Sequence, residues 1–101
     1  MKTNVKNKEG MVKKYRIQEC IDNLKRSEYR IVLRSIPAII GKGITTFYNY
    51  RDILIDDRED IPYKTARRLE ILFGLEAGGL ENQKTEGRHY SQIVQEHRNQ
   101  L

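Results

Sequence analysis

Tryptophan is missing from this chain, and cysteine, histidine and proline are scarce: one, two and two residues in 101. A lone Cys20 excludes an intramolecular disulfide, and it falls on a stripe with Ile17, Ile21 and Leu24, the position of a buried core thiol. Cys20, His89 and His97 share no ligand-like spacing, so no metal centre and no cofactor are expected. Neither histidine has a nucleophile and an acid near it in recognisable spacing, so no catalytic constellation is expected and the chain does not read as an enzyme. No apolar run is long enough to cross a membrane. The Lys- and Asn-rich start is not followed by an apolar stretch of about seven or more residues, as a signal peptide would require, and a cytoplasmic location is expected.

Charge, by contrast, is plentiful. Charged residues make up 33% and apolar ones 38% of the 101 residues, and at 11.9 kDa the chain is enough for one small folded domain and too little for two. The net charge is +5 with a pI near 9.4, a balance that favours polyanions. It is unevenly spread: +5 over residues 1–26, +2 over 27–55, −3 over 56–82 and +1 over 83–101.

Residues 1–11 hold little apolar surface and read as a flexible basic arm. From about Val12 to Arg26 apolar residues recur at 17, 20, 21 and 24, the spacing of a helix with one face inward. The pattern resumes after Ser27 and meets Pro37; either Ser35 caps a helix starting at Ile36, or Pro37 interrupts a longer helix starting near Glu28. Gly41-Lys42-Gly43 supplies the permissive backbone of a tight turn. A further helix is predicted from about Ile44 to Asp52, with Phe47 and Tyr50 inward. The run Ile53 to Glu59 reads as an acidic loop, and Asp60 as the N-cap of a helix with Pro62 in its first turn, stripe Ala66, Leu69, Leu72 and Phe73, and Gly74 at its end. A polar tail over 83–101 carries a weak helical stripe of Tyr90, Ile93, Val94, His97 and Leu101. The predicted fold is therefore all-α: a compact bundle of four to five short helices over residues 12–82, with flexible N- and C-terminal tails.

The most informative stretch runs from Leu33 to Arg51, where an apolar helix end, a glycine turn and a second helix with Phe47 beneath it have the spacing of two steeply crossed helices. The turn Ile40-Gly41, Thr46 five residues after that glycine, Phe47, and the later Asp60-Ile61-Pro62 and Leu72-Phe73-Gly74-Leu75 together resemble the helix-turn-helix of the lambda-repressor-like family, which includes Cro-like phage repressors. The resemblance covers roughly residues 12–82 and implies that Leu80 is the last core residue.

What the resemblance implies is binding to double-stranded DNA by a transcription regulator of prokaryotic, phage or mobile-element type, a repressor being the model. Gly43, Ile44, Thr45, Tyr48 and Asn49 would then face base edges, and Arg34, Lys42, Thr46 and Arg51 the phosphates, with Lys13 and Lys14 assisting. A homodimer is expected to present two such helices to half-sites about 34 Å apart, joined through the tail or through Ile53-Leu54-Ile55. The alternative is a helical adaptor module that keeps the fold without reading DNA, suggested by the mild +2 of residues 27–55.

Overall fold

The computed structural model describes residues 11–83 and 85–99. Among the described residues five helices follow in order: α1 Ile17–Asp22, α2 Arg26–Ile40, α3 Ile44–Arg51, α4 Tyr63–Leu72 and α5 Tyr90–Asn99. Among the described residues the only extended pairings are isolated bridges, so the architecture is all-α, as the periodicity predicts. The arm over 1–10 and the terminal Leu101 lie outside the described residues.

The core gathers one to three apolar side chains from each of the first four helices. Phe47 of α3 sits among Ile17, Ile36 and Leu69, and Leu80 closes the cluster from the loop after α4; all five are completely buried. α2 rests against both α3 and α4, and α1 against α3. Cys20 is part of this core, and burial pushes its thiol pKa up, which keeps the sulfur protonated and inert.

The predicted first helix is shorter than its pattern suggested. Only the stretch with true three-and-four spacing, beginning at Ile17, is helical; residues 12–15 are extended. Their backbone is satisfied sideways: the Lys14 N–H donates to the Ile53 carbonyl at 2.8 Å, Ile55 N–H to Val12 at 2.8 Å, Arg16 N–H to Leu80 at 2.7 Å and Asn82 N–H to Lys14 at 3.0 Å. This strap runs between the loop after α3 and the loop after α4, bridging Lys13 to Leu54 and Tyr15 to Glu81. The Asn82 amide adds a bond to the Lys13 carbonyl at 2.7 Å.

The two readings of Pro37 resolve in favour of one long helix. α2 starts at Arg26, where the Glu28 carboxylate accepts the Lys25 N–H at 3.2 Å. Ser35 is interior to it and donates its hydroxyl to the Ile31 carbonyl at 2.9 Å instead of capping.

Asp60 does not cap α4. The helix starts at Tyr63 after Pro62, whose carbonyl accepts the Ala66 N–H, while the Asp60 carboxylate faces the strap and takes Lys14 at 3.0 Å. The far end of α4 does follow the predicted glycine stop: Gly74 has φ +72°, Leu75 N–H returns to the Glu70 carbonyl at 2.7 Å and Gly74 N–H to Ile71 at 3.1 Å. Glu70, absent from the predicted stripe, is buried there, its carboxylate accepting the Leu80 N–H at 3.1 Å and Arg67 at 2.8 Å. The weak stripe in the tail forms α5, none of whose residues is buried.

Candidate nucleic-acid interface

The α2–α3 corner follows from three backbone facts. Gly41 ends α2 in the left-handed region at φ +69°, its N–H returning to the Pro37 carbonyl at 2.9 Å. A side chain there would be strained, which is why glycine is needed at this position. Gly43 is extended and opens α3, its carbonyl accepting the N–H groups of Thr46 at 3.1 Å and Phe47 at 3.3 Å. Phe47 then anchors α3 to the core and fixes which side of that helix is left to solvent.

That side carries Thr45 and Asn49, both exposed and one turn apart, with exposed Gly43 just before them. The other two base-facing candidates sit differently. Ile44 and Tyr48 are half-buried and pack against the core. The Tyr48 ring leans on Phe47, centroids 5.6 Å apart at 54°, and the Arg51 guanidinium lies 4.7 Å from its centre. Thr46 is likewise half-buried.

The basic residues separate into engaged and free. Arg51 is held by Asp52 at 2.9 Å, and the same carboxylate takes Lys13 at 3.3 Å. The Arg51 hydrogen bond, the largest influence, keeps the Asp52 carboxyl below the usual aspartate pKa; burial opposes it, and the Arg51 charge and Lys13 assist. Lys14 is a structural tie: its ammonium donates to the carbonyls of Asp57 and Glu59, both at 2.6 Å, and to Asp60. The acidic loop is therefore anchored as well as solvated, and Lys13 and Lys14 belong to the strap rather than to a free basic arm. Arg34 and Lys42 are exposed and form no ion pair among the described residues.

Two exposed arginines escaped the sequence reading. Arg26 and Arg30 precede Arg34 at four-residue intervals on α2, a row legible in the sequence once a single helix starting at Arg26 is known. The expected dimer contact through Ile53-Leu54-Ile55 loses its basis, since Ile53 is buried and Leu54 and Ile55 are half-buried beside the strap. Exposed apolar side chains remain on α5, at Tyr90, Ile93 and Val94.

Among the described residues no group of three or more His, Cys, Asp or Glu side chains is placed to hold a metal ion, and no helix is long and apolar enough to cross a membrane. His89 is exposed ahead of α5 with its Nδ1 2.8 Å from the Ser91 hydroxyl, and His97 is exposed on that helix. No family model, curated protein or solved structure matches this chain.

Proposed function

We propose that the chain is a sequence-specific DNA-binding regulator of transcription, of prokaryotic, phage or mobile-element type, that works without catalysis by laying α3 in the major groove. The observation that carries this reading is the two-sidedness of α3. Phe47 is completely buried while Thr45 and Asn49, the residue types that hydrogen-bond base edges, are exposed on the opposite side. A helix needs such a free polar face, held rigidly from beneath, to read base edges. Asn49 would bind adenine through both the oxygen and the nitrogen of its side-chain amide, worth about 1–3 kcal/mol of discrimination. Thr45 would reach a base or a phosphate, and Gly43 lets the backbone approach closely. Arg34 and Lys42, without an ion pair among the described residues, would bind phosphates and set position without reading sequence.

A repressor occupying its operator in the cytoplasm as a homodimer is the expected form of the activity. α5 carries the surface that would join two copies, through Tyr90, Ile93 and Val94. Light scattering of the free chain and of its DNA complex tests this; a monomer in both would remove the dimer.

Selection of bound sequences from a random DNA pool tests the central claim. An enriched motif that Asn49→Ala relaxes at one base pair is the expected result. A pool that stays random, together with no binding to duplex at low salt, would leave the adaptor reading. One observation favours that second reading: Arg51, Lys13 and Lys14 spend their charge on internal carboxylates and carbonyls, which lowers the potential around α3.

A further inference from the structure

Where the strap meets the start of α4 an open cleft of about 400 Å³ remains, and none of its lining residues belongs to α2 or α3. Two carboxylates reach it from opposite ends of α4: Asp60 from the loop before that helix and Glu81 from the loop after it. Glu81 is paired with Tyr15 in an antiparallel bridge, so their side chains leave the strap on the same side. Burial raises the Tyr15 pKa and the Ile61 bond lowers it; the Asp60 and Glu81 charges add to the rise, so both carboxylates stand within electrostatic reach of one phenol.

Lys14 is the only cation lining the cleft among the described residues, and its donors are spent. An ammonium carries three N–H groups, and these go to the Asp57 and Glu59 carbonyls, both at 2.6 Å, and to Asp60 Oδ1 at 3.0 Å. Acceptors, by contrast, are left over. Glu81 Oε1 takes the Thr85 hydroxyl at 3.1 Å, and the second oxygen of each carboxylate accepts no hydrogen bond among the described residues. Ile55, Ile61 and Ala66 add apolar wall, and Tyr63, 76% exposed, offers its ring. Surplus charged acceptors beside aliphatic surface and an aromatic face suit an organic cation and repel an anion. A bare metal ion is the poorer occupant, because no group of three or more His, Cys, Asp or Glu among the described residues is placed to hold one. The volume is that of a small-molecule site, which spans about 300–1,000 Å³.

We infer that this cleft binds an organic cation, an alkylammonium or guanidinium on an aliphatic stem, with Asp60 and Glu81 accepting its N–H groups and the Tyr63 ring covering its charge. The same head group comes from a free amine or from a Lys or Arg side chain of a partner. This goes beyond the DNA-binding reading and does not depend on it. The occupant touches the strap, the loop before α4 and α4 itself, so it stabilises the fold by mass action.

The test is calorimetric titration and thermal unfolding of the full chain, without DNA, in agmatine and in an arginine blocked at both termini, each at matched ionic strength. Saturable binding in the millimolar range or tighter and a rise in the unfolding midpoint are the expected results. Tighter binding of agmatine identifies a free amine as the source, and tighter binding of the blocked arginine a partner's side chain. Glu81→Gln weakens binding at least about tenfold and Tyr63→Ala, at an exposed position, about two- to fivefold. Asp56→Asn, in the same acidic loop but outside the cleft, leaves it unchanged. Circular dichroism verifies that each variant retains its helices. Absence of binding by either cation overturns the inference. So does binding that Asp56→Asn weakens as much as Glu81→Gln, which is loose attraction to the loop's charge, and so does a midpoint that glutarate or magnesium raises as far as agmatine does.

Discussion

The phenolic oxygen of Tyr15 accepts the Ile61 N–H at 3.0 Å and donates to Asp60 at 3.4 Å, joining the strap to the start of α4. Burial raises its pKa, opposed by the Ile61 bond. A folded-state pKa above the unfolded one means the associated stability is complete below pH 10 and is lost as pH climbs through the raised value. Tyr15→Phe keeps the ring but strands a buried N–H; it is expected to cost about 1–3 kcal/mol in urea unfolding and to flatten the alkaline limb. Asp52 has the opposite sign. Its depressed pKa contributes stability above the ordinary aspartate value of 3.8, lost as pH falls through the folded one, and the effect is small because the carboxylate is half exposed. Its larger consequence concerns DNA: Asp52→Asn releases Arg51 and Lys13, and tighter duplex binding at low salt is expected. Unchanged binding would mean that neither cation reaches a phosphate.

At the scale of elements, the two glycines of the α2–α3 turn are not equivalent. Gly41 has φ +69° and open space where a Cβ would stand, so Gly41→Ala meets no clash and suffers only the left-handed backbone penalty, about 1 kcal/mol. Gly43 has φ −67° and equal room, so Gly43→Ala should leave the unfolding midpoint nearly unchanged. A midpoint that drops equally for both would contradict this geometry. The ends of α3 were legible because glycine before it and Phe47 within it are local signals. The start of α2 was not, since Pro37 reads equally well as a first-turn residue and as an interior one. The predicted Asp60 cap failed for a related reason: a carboxylate two residues before a proline looks like a cap until a lysine from a distant segment claims it.

Across the whole molecule, stability is concentrated in the first four helices and the strap that joins their loops. A chain starting at Arg16 lacks the buried Tyr15 ring and the strap's hydrogen bonds to the 53–55 and 80–82 loops, and should lose at least about 3 kcal/mol. A chain ending at Gln83 loses α5, none of whose residues is buried, and should unfold within about 0.5 kcal/mol of the full chain. Thermal unfolding of both truncations checks the pair; a large loss on removing α5 would show that it docks on the bundle. Helix order, the glycine stops, the core stripe through Phe47 and Leu69 and the exposure of Thr45 and Asn49 were all readable along the chain, because each depends on neighbours three or four residues away. The extended strap, the buried Glu70 and the capture of Lys13 and Lys14 were settled by folding, because each depends on a partner that proximity in sequence does not disclose: Lys14 meets Asp60 across forty-six positions, and Glu70 meets Leu80 only after the Gly74 turn folds the chain back. A polar side chain shows which bonds it can make, and the fold chooses among them by bringing one partner close enough to displace water.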